Sequence, residues 1–341
     1  MKVLRTAVVG LGRIGWQFHG PQVAAHEGFS FIAAVDPLEE RRQEAIERYG
    51  VRGYGTYEEM LAKETLDLVV IASPTPFHAG QVIAAFERGY DVFCDKPMAP
   101  TLAEADRMIE TMRAHGRKLM VYQPHRARAE IVALRAILAQ GWIGPVYMIK
   151  SARTGYTRRN DWQALRQYGG GMLNNYGAHH VDLLLHLSGS RARRVCCALR
   201  AIATLGDAED VVKAVIETED GTILDLDINI AAAHGMRPWH VLGRRGSAVL
   251  DEDEWAWRVR FYGEEALGEG VVHEELAAPE RRYDNVDEMI PWEEQVVPVT
   301  EYAAVDYYEQ CYRYYALNEA PYVPIEETRE VMRVLEMCRE S

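Results

Sequence analysis

The feature that most constrains this 341-residue chain is a glycine turn set between an apolar run and an amphipathic one. Val3–Val9 reads as a strand and leads directly into Gly10-Leu11-Gly12-Arg13-Ile14-Gly15. Glycines at that spacing permit a tight turn, let a pyrophosphate approach the backbone, and let a helix pack closely on the strand. The string alone is weak evidence; its setting is stronger. A second apolar run, Phe29–Val35, ends in Asp36, 21 residues after Gly15. A carboxylate there accepts hydrogen bonds from ribose hydroxyls and repels a 2′-phosphate. The combination predicts a dinucleotide-binding unit with Gly10, Gly12, Arg13, Ile14, Gly15 and Asp36 at the cofactor. NAD is the expected cofactor, and Arg41 and Arg42 leave NADP open as a second choice.

Through residue 125, short β-branched runs alternate with longer amphipathic stretches, the pattern of a parallel sheet covered on both faces. Further strands are predicted at Leu66–Ala72, Asp91–Cys94 and Lys118–Tyr122, and Thr101 with Glu104 has the spacing of a capping box. Open α/β sheets bind ligands outside the carboxyl ends of their strands. Ser73, Pro74, Thr75 and His78 follow one such end and Asp95-Lys96-Pro97 another, so both segments are candidates to line a cofactor crevice. The character changes after a helical stretch at Ala129–Gln140. From Val195 the chain reads as long strands, and Leu224–Ile230 alternates apolar and polar residues strictly, as in an antiparallel sheet with one wet face. Asp220-Gly221 and Arg245-Gly246 suit hairpin turns. The expected architecture is α/β. A doubly wound Rossmann domain spans 1–125, and an α+β substrate and oligomerisation domain with a largely antiparallel open sheet spans 126–325. An amphipathic C-terminal helix, 326–341, is placed to pack back on the first domain.

Charge narrows the partners. With 38 basic against 51 acidic residues and a net charge of −13, the chain repels phosphate backbones and anionic membranes. Residues 251–300, including the loop Asp284–Trp292, hold 15 acidic and 4 basic side chains, hence −11 of that −13. The acidity therefore belongs to that stretch and not to the motifs. Five cysteines form no CxxC pair, there is no signal-peptide pattern, and no apolar run reaches about 18 residues. A cytoplasmic protein without structural disulfides is expected.

The richest segment is Gly169-Gly170-Gly171-Met172-Leu173-Asn174-Asn175-Tyr176-Gly177-Ala178-His179-His180-Val181-Asp182. In a helix starting near Met172, Asn175 and His179 lie four apart on one face, with Asp182 three further on. An imidazole titrates near neutral pH and suits removal of a hydroxyl proton during hydride transfer. The alternative is that His179, His180 and His186 are satisfied polar residues of a half-buried helix. A metal site through His179, Asp182 and His186 lacks the thiolates and closing ligands of a structural zinc site, so no metal is expected.

Taken together, these motifs resemble the glucose–fructose oxidoreductase, inositol dehydrogenase and rhizopine-catabolism (Gfo/Idh/MocA) family. The resemblance spans nearly the whole chain and includes the later segment Arg237-Pro238-Trp239-His240-Val241-Leu242-Gly243. It implies a Rossmann domain followed by a domain whose open sheet forms the subunit interface, and a cis bond before Pro97. It also implies that Lys96 polarises the substrate oxygen while His179 is the general base in oxidation and acid in reduction. Asn175 falls where many members have aspartate, so the negative charge that would support the lysine is missing, although the amide still orients a substrate. A frequent Arg-Arg pair appears here as His125-Arg126. Arg126, Arg158, Asn160 and Trp162 are the substrate-binding residues the resemblance suggests, beside Lys96, Asn175 and His179.

The leading expectation is a homo-oligomeric dehydrogenase, dimer or tetramer, moving a hydride between NAD and a secondary alcohol of a sugar, cyclitol or related polyol. An NAD-dependent glycosidase that oxidises C3 transiently is the mechanistic alternative. A dinucleotide-sensing regulator without turnover is the third, disfavoured because a sensor needs neither Lys96 nor His179.

Overall fold

The computed structural model describes residues 2–267 and 289–341. Six parallel strands, β1 (Leu4–Val9), β2 (Phe29–Val35), β3 (Arg52–Tyr54), β4 (Leu68–Ile71), β5 (Asp91–Cys94) and β6 (Leu119–Val121), form one sheet in the order β3-β2-β1-β4-β5-β6. The strand order reverses between β1 and β4, and ligands of such sheets sit outside that reversal. Both faces are covered, which is why Leu68–Ile71 is buried throughout and reads as an unbroken apolar run. The edge strand β3, Arg-Gly-Tyr, carries no such run, and no strand is expected there from the sequence.

Crossovers are made by α1 (Gly20–Ala25), α2 (Glu39–Tyr49), α3 (Tyr57–Lys63), α4 (His78–Glu87) and α5 (Leu102–Ala114). The capping box at α5 is present: Thr101 Oγ1 accepts a hydrogen bond from the Glu104 N–H at 3.2 Å. α1 is the end of a longer helix through 13–25 whose Gly15–His19 portion is a π-turn.

Helix α6 (Ala129–Ala139) leads into β7 (Val146–Thr154), followed by α7 (Ala178–Ser188) and strands β8 (Ala192–Arg200), β9 (Val211–Thr218), β10 (Ile223–Asn229), β11 (Trp239–Gly243), β12 (Gly246–Asp251), β13 (Ala256–Phe261) and β14 (Glu293–Pro298). These eight strands form a second sheet in the order β14-β13-β12-β11-β7-β10-β9-β8, antiparallel except for the parallel pair β7 and β10. The alternation in β10 is real: Leu224, Leu226 and Ile228 are fully buried. Gly221 takes φ +87° beside Asp220 in the β9–β10 turn, whereas the β11–β12 turn is made by Arg244 and Arg245, one residue earlier than expected. Residues 268–288 lie outside the described residues, and with them residues 284–288 of the acidic loop Asp284–Trp292.

Helix α8 (Tyr307–Leu317) belongs to the first sheet, where Tyr307, Tyr308, Cys311, Tyr312 and Tyr315 pack with Leu4, Val8, Phe29, Phe93 and Met120. Tyrosine suits this position because each ring buries apolar surface while its hydroxyl serves the backbone. The Tyr315 hydroxyl accepts from Met120 N at 3.0 Å, and that of Tyr307 from Gln123 N at 3.0 Å. The last helix, α9 (Ile325–Glu340), lies against α5 on one side and α7 and β8 on the other. Among the described residues no helix is long and apolar enough to cross a membrane.

Candidate active site

The glycine turn is shaped by two packing glycines and one open one. Gly10 has φ +90°, and a methyl group there would lie 2.7 Å from the Ala72 carbonyl oxygen; a methyl at Gly15 would overlap the Gly10 carbonyl. At Gly12 nothing lies within 4 Å of such a methyl, so the backbone is bare on the side a phosphate approaches. Arg13 is exposed at this rim, and Ile14 is half-buried behind it. Asp36 directly follows β2, with its carboxylate held by Leu11 N (2.9 Å) and Leu38 N (3.0 Å). Arg41 reaches the same carboxylate at 3.4 Å, and Arg42 donates to the Asp36 carbonyl at 2.8 Å. These residues fit a dinucleotide: a bare turn for its phosphates, then a fixed carboxylate one strand away.

The β4 loop divides. Pro74 is exposed, Thr75 is buried, and the Ser73 hydroxyl donates to Gln81 Oε1 at 2.6 Å. The His78 ring is turned into the fold. It is 1% exposed, with its ring nitrogens 2.8 Å from the Ser73 carbonyl and 3.0 Å from the Pro97 carbonyl. It ties the β4 loop to the Lys96–Pro97 segment, whose peptide bond is cis.

Lys96 projects from the carboxyl end of β5 into the second half of the chain. Asp95 Oδ1 fixes its backbone N–H at 2.8 Å, and its ammonium donates to the Asn175 carbonyl at 2.7 Å and approaches Asn175 Oδ1 at 3.4 Å. The Asn175 amide is oriented by donating to Gln163 Oε1 at 3.3 Å. Burial pushes the Lys96 ammonium down from 10.5 to about 8, the charges of Arg13 and Arg159 adding to the effect and Asp95 opposing it.

The helix through 172–188 begins where Gly171, at φ +106°, leaves room for the Glu209 carboxylate. Glu209 accepts Leu173 N at 3.1 Å and so satisfies a free N–H of the first turn. Residues Leu173–Gly177 then form a π-turn, where the sequence alone suggests an uninterrupted α-helix. A π-turn closes on i→i+5 bonds, and Lys96 takes the Asn175 carbonyl inside it. His179, 8% exposed, sets its Nδ1 3.1 Å from Gln123 Oε1, while Gln123 Nε2 donates to the Ala178 carbonyl at 3.4 Å. That chain assigns the proton to His179 Nδ1 and leaves Nε2 as the basic nitrogen. Burial, then Lys96, His125, His180 and Arg128, hold the His179 pKa well below the ordinary value.

Residues 4–123 match the oxidoreductase family with an NAD-binding Rossmann fold, and residues 131–249 match the GFO/IDH/MocA C-terminal domain. The chain belongs to the Gfo/Idh/MocA family. It is an NAD-binding oxidoreductase of that family. The inositol 2-dehydrogenase of Streptomyces avermitilis is 29% identical over 69% of this chain and 68% of its own. The 2,7-anhydro-N-acetylneuraminate hydratase of Mediterraneibacter gnavus is 25% identical over 80% of this chain and 74% of its own. In fold, the WlbA dehydrogenase from Bordetella pertussis, crystallised with NADH and UDP-GlcNAcA, superposes with a TM-score of 0.78 at 21% identity, over 100% of this chain and 96% of that one.

Against the Gfo/Idh/MocA pattern, His125 and Arg126 part company. His125 stacks on His179 with ring centroids 4.0 Å apart, and burial first, then nearby positive charges, pushes its pKa down to about 2. The Arg126 guanidinium is engaged inside the fold. Its side chain is 2% exposed and bidentate to the fully buried Asp182, at 2.5 and 2.7 Å, and it also pairs with Glu327. Asp182 therefore anchors the helix and does not share in the site. In the loop before the glycines, Arg158, Asn160 and Trp162 are exposed, whereas the skipped Arg159 is 23% exposed and its charge bears on Lys96. Gln123, Arg159 and Gln163 are the members the sequence did not disclose. Only for Gln123, just past a strand end, was there a usable positional signal.

Proposed function

We propose that this oxidoreductase moves a hydride between NAD and a secondary alcohol of a sugar, cyclitol or related polyol, with Lys96 polarising the substrate oxygen and His179 as general acid/base. The single observation that carries this reading is the Lys96 ammonium, brought to the head of the His179 helix by its bond to the Asn175 carbonyl at 2.7 Å. When bound along Gly10–Gly15 and Asp36, NAD supplies the hydride acceptor in oxidation and the donor in reduction. Lys96 spends donors on Asn175 and keeps one for the substrate oxygen, whose developing negative charge an ammonium stabilises. Neutral His179 Nε2 takes the hydroxyl proton in oxidation and returns it in reduction. The uncharged Asn175 orients the ammonium without raising its pKa, as an aspartate would.

NAD-linked oxidation across inositols, hexoses, pentoses and their acids tests this. Activity on at least one class is expected, with Lys96→Met losing about 10²–10⁴-fold in kcat/KM. No NADH formation on the whole panel, or a Lys96→Met variant as fast as the parent, overturns it.

The relative named as a hydratase favours a second reading, because hydration is redox-neutral overall. A transient oxidation at C3, elimination of the aglycone, addition of water and re-reduction of the C3 ketone by the NADH just formed would use the same Lys96 and His179. It would cleave an activated glycoside without net NADH. As for assembly, the face of the second sheet bearing Lys213, Val215, Asp225, Asp227 and His240 is half-exposed or exposed, and a homo-oligomer through it is part of the same proposal. Light scattering giving a monomer mass would remove that part.

A further inference from the structure

Around Lys96 and His179 the imidazoles are neutral and the charges come from arginines, while the nearby carboxylates are already engaged. His125 lies on His179 and 6.1 Å from His180. Strand β7 presents Ser151 and Arg153 on one face, two residues apart. Ser151 Oγ stands 2.7 Å from His180 Nδ1, and the Arg153 guanidinium carbon is 5.1 Å from the centre of the Tyr176 ring, itself 6.5 Å from His180. Arg128 follows the turn that carries His125. Asp95 is bonded to the Lys96 N–H (2.8 Å), Glu130 pairs with Arg128 (3.5 Å), Asp161 with Arg159 (3.3 Å), and Glu209 accepts Leu173 N (3.1 Å). Among the described residues this leaves, with no carboxylate within 4 Å, Arg13 at the cofactor turn, Lys96, resting on a neutral amide, and Arg153, resting on an aromatic face. A guanidinium on a tyrosine face is oriented without being neutralised, and its N–H fork stays available to anionic oxygens.

We propose that the alcohol this site accepts carries an anionic substituent, a carboxylate or a phosphate, received by Arg153 and flanked by Arg128. The proposal rests on the dehydrogenase reading and narrows its substrate class to anionic sugars or cyclitols. The field supports it. After burial, the charge of Lys96 is the largest cause that depresses the basicity of His179, with Arg128 adding to it, and Arg153 and Arg128 do the same to His180. An anion seated among them offsets that field and raises the proton affinity of His179, so a charged substrate prepares its own general base. A neutral polyol lacks that effect.

The test sets each hexose, pentose and inositol against its own carboxylic acid and its phosphate on the NAD-loaded enzyme, with binding measured by calorimetry and turnover by NADH formation. At least one anion should bind about tenfold or more tighter than its neutral parent, the scale of one charge-assisted hydrogen bond. That preference should collapse in Arg153→Gln and return in part in Arg153→Lys. The acid and phosphate arms tell the two sources apart. Equal binding of anions and neutral parents, no binding of any anion, or a preference untouched by Arg153→Gln overturns the proposal. Preferential binding with no turnover of any compound overturns the dehydrogenase reading instead and leaves the anion site standing.

Discussion

The two helices that head the candidate site begin alike and are used differently. Gly15–His19 and Leu173–Gly177 are both π-turns at the head of a helix, one on each sheet. In the first, the working surface is backbone: two glycines pack and the third leaves the chain bare. In the second, a backbone carbonyl of the π-turn serves to hold a lysine from the other half, and the working groups are the side chains of Lys96 and His179. Backbone sites tolerate little change in the residues that shape them, because the fold and the site are the same atoms. Side-chain sites separate the two, so activity can be removed while the fold survives.

That contrast can be broken in several ways. The largest effect should come from Arg126→Met, which strands the buried Asp182 carboxylate and should cost about 3–5 kcal/mol of stability. Adding Asp182→Leu should recover most of the loss in denaturant titrations. A raised KM at parental stability would instead return Arg126 to the substrate site. Gly15→Ala follows, at about 1–3 kcal/mol for overpacking, with NADH affinity falling alongside the melting temperature. If stability falls and NADH still binds at the parental affinity, fold and cofactor site are separable in the first helix after all.

Asn175→Asp probes the second helix more finely. A carboxylate beside the Lys96 ammonium favours its charged form, so the pKa rises from about 8. The expected readout is the alkaline limb of kcat/KM for oxidation. It should fall above about pH 8 in the parent, as the ammonium is lost, and move upward by about one unit in the variant. A limb that stays in place would show that another group controls it. The smallest effect should be that of Arg158→Ala: within about 0.5 kcal/mol in stability and little change in turnover, whereas Arg159→Ala should raise the Lys96 pKa by removing a neighbouring positive charge.

Sequence pattern reached the parts of the molecule in which local chemistry and fold coincide. The glycine turn, Asp36, the doubly buried strands and the capping box of α5 are all decided within a few residues. Lys96, Asn175 and His179 were legible as residue types at strand and helix ends. What escaped depends on partners far along the chain. Arg126 reads as a free cation until Asp182, 56 residues on, meets it in the core. Which of Arg158 and Arg159 turns inward is set by loop conformation, for which no periodicity exists. The π-turn at Leu173–Gly177 carries no compositional mark distinguishing it from an α-turn, and the tyrosines of α8 look like an ordinary amphipathic helix until the first sheet is seen to need them.

Those tyrosines bear on how the protein is made. Chains emerge from the ribosome N-terminus first, yet one face of the first sheet is closed by Tyr307, Tyr308, Tyr312 and Tyr315. The nucleotide-binding half is thus synthesised well before the helix that completes it, with Leu4, Val8, Phe29, Phe93 and Met120 uncovered until residues 307–315 have followed. A chain cut short before residue 307 would keep every glycine of its cofactor turn and still lack the surface that seals the sheet behind it.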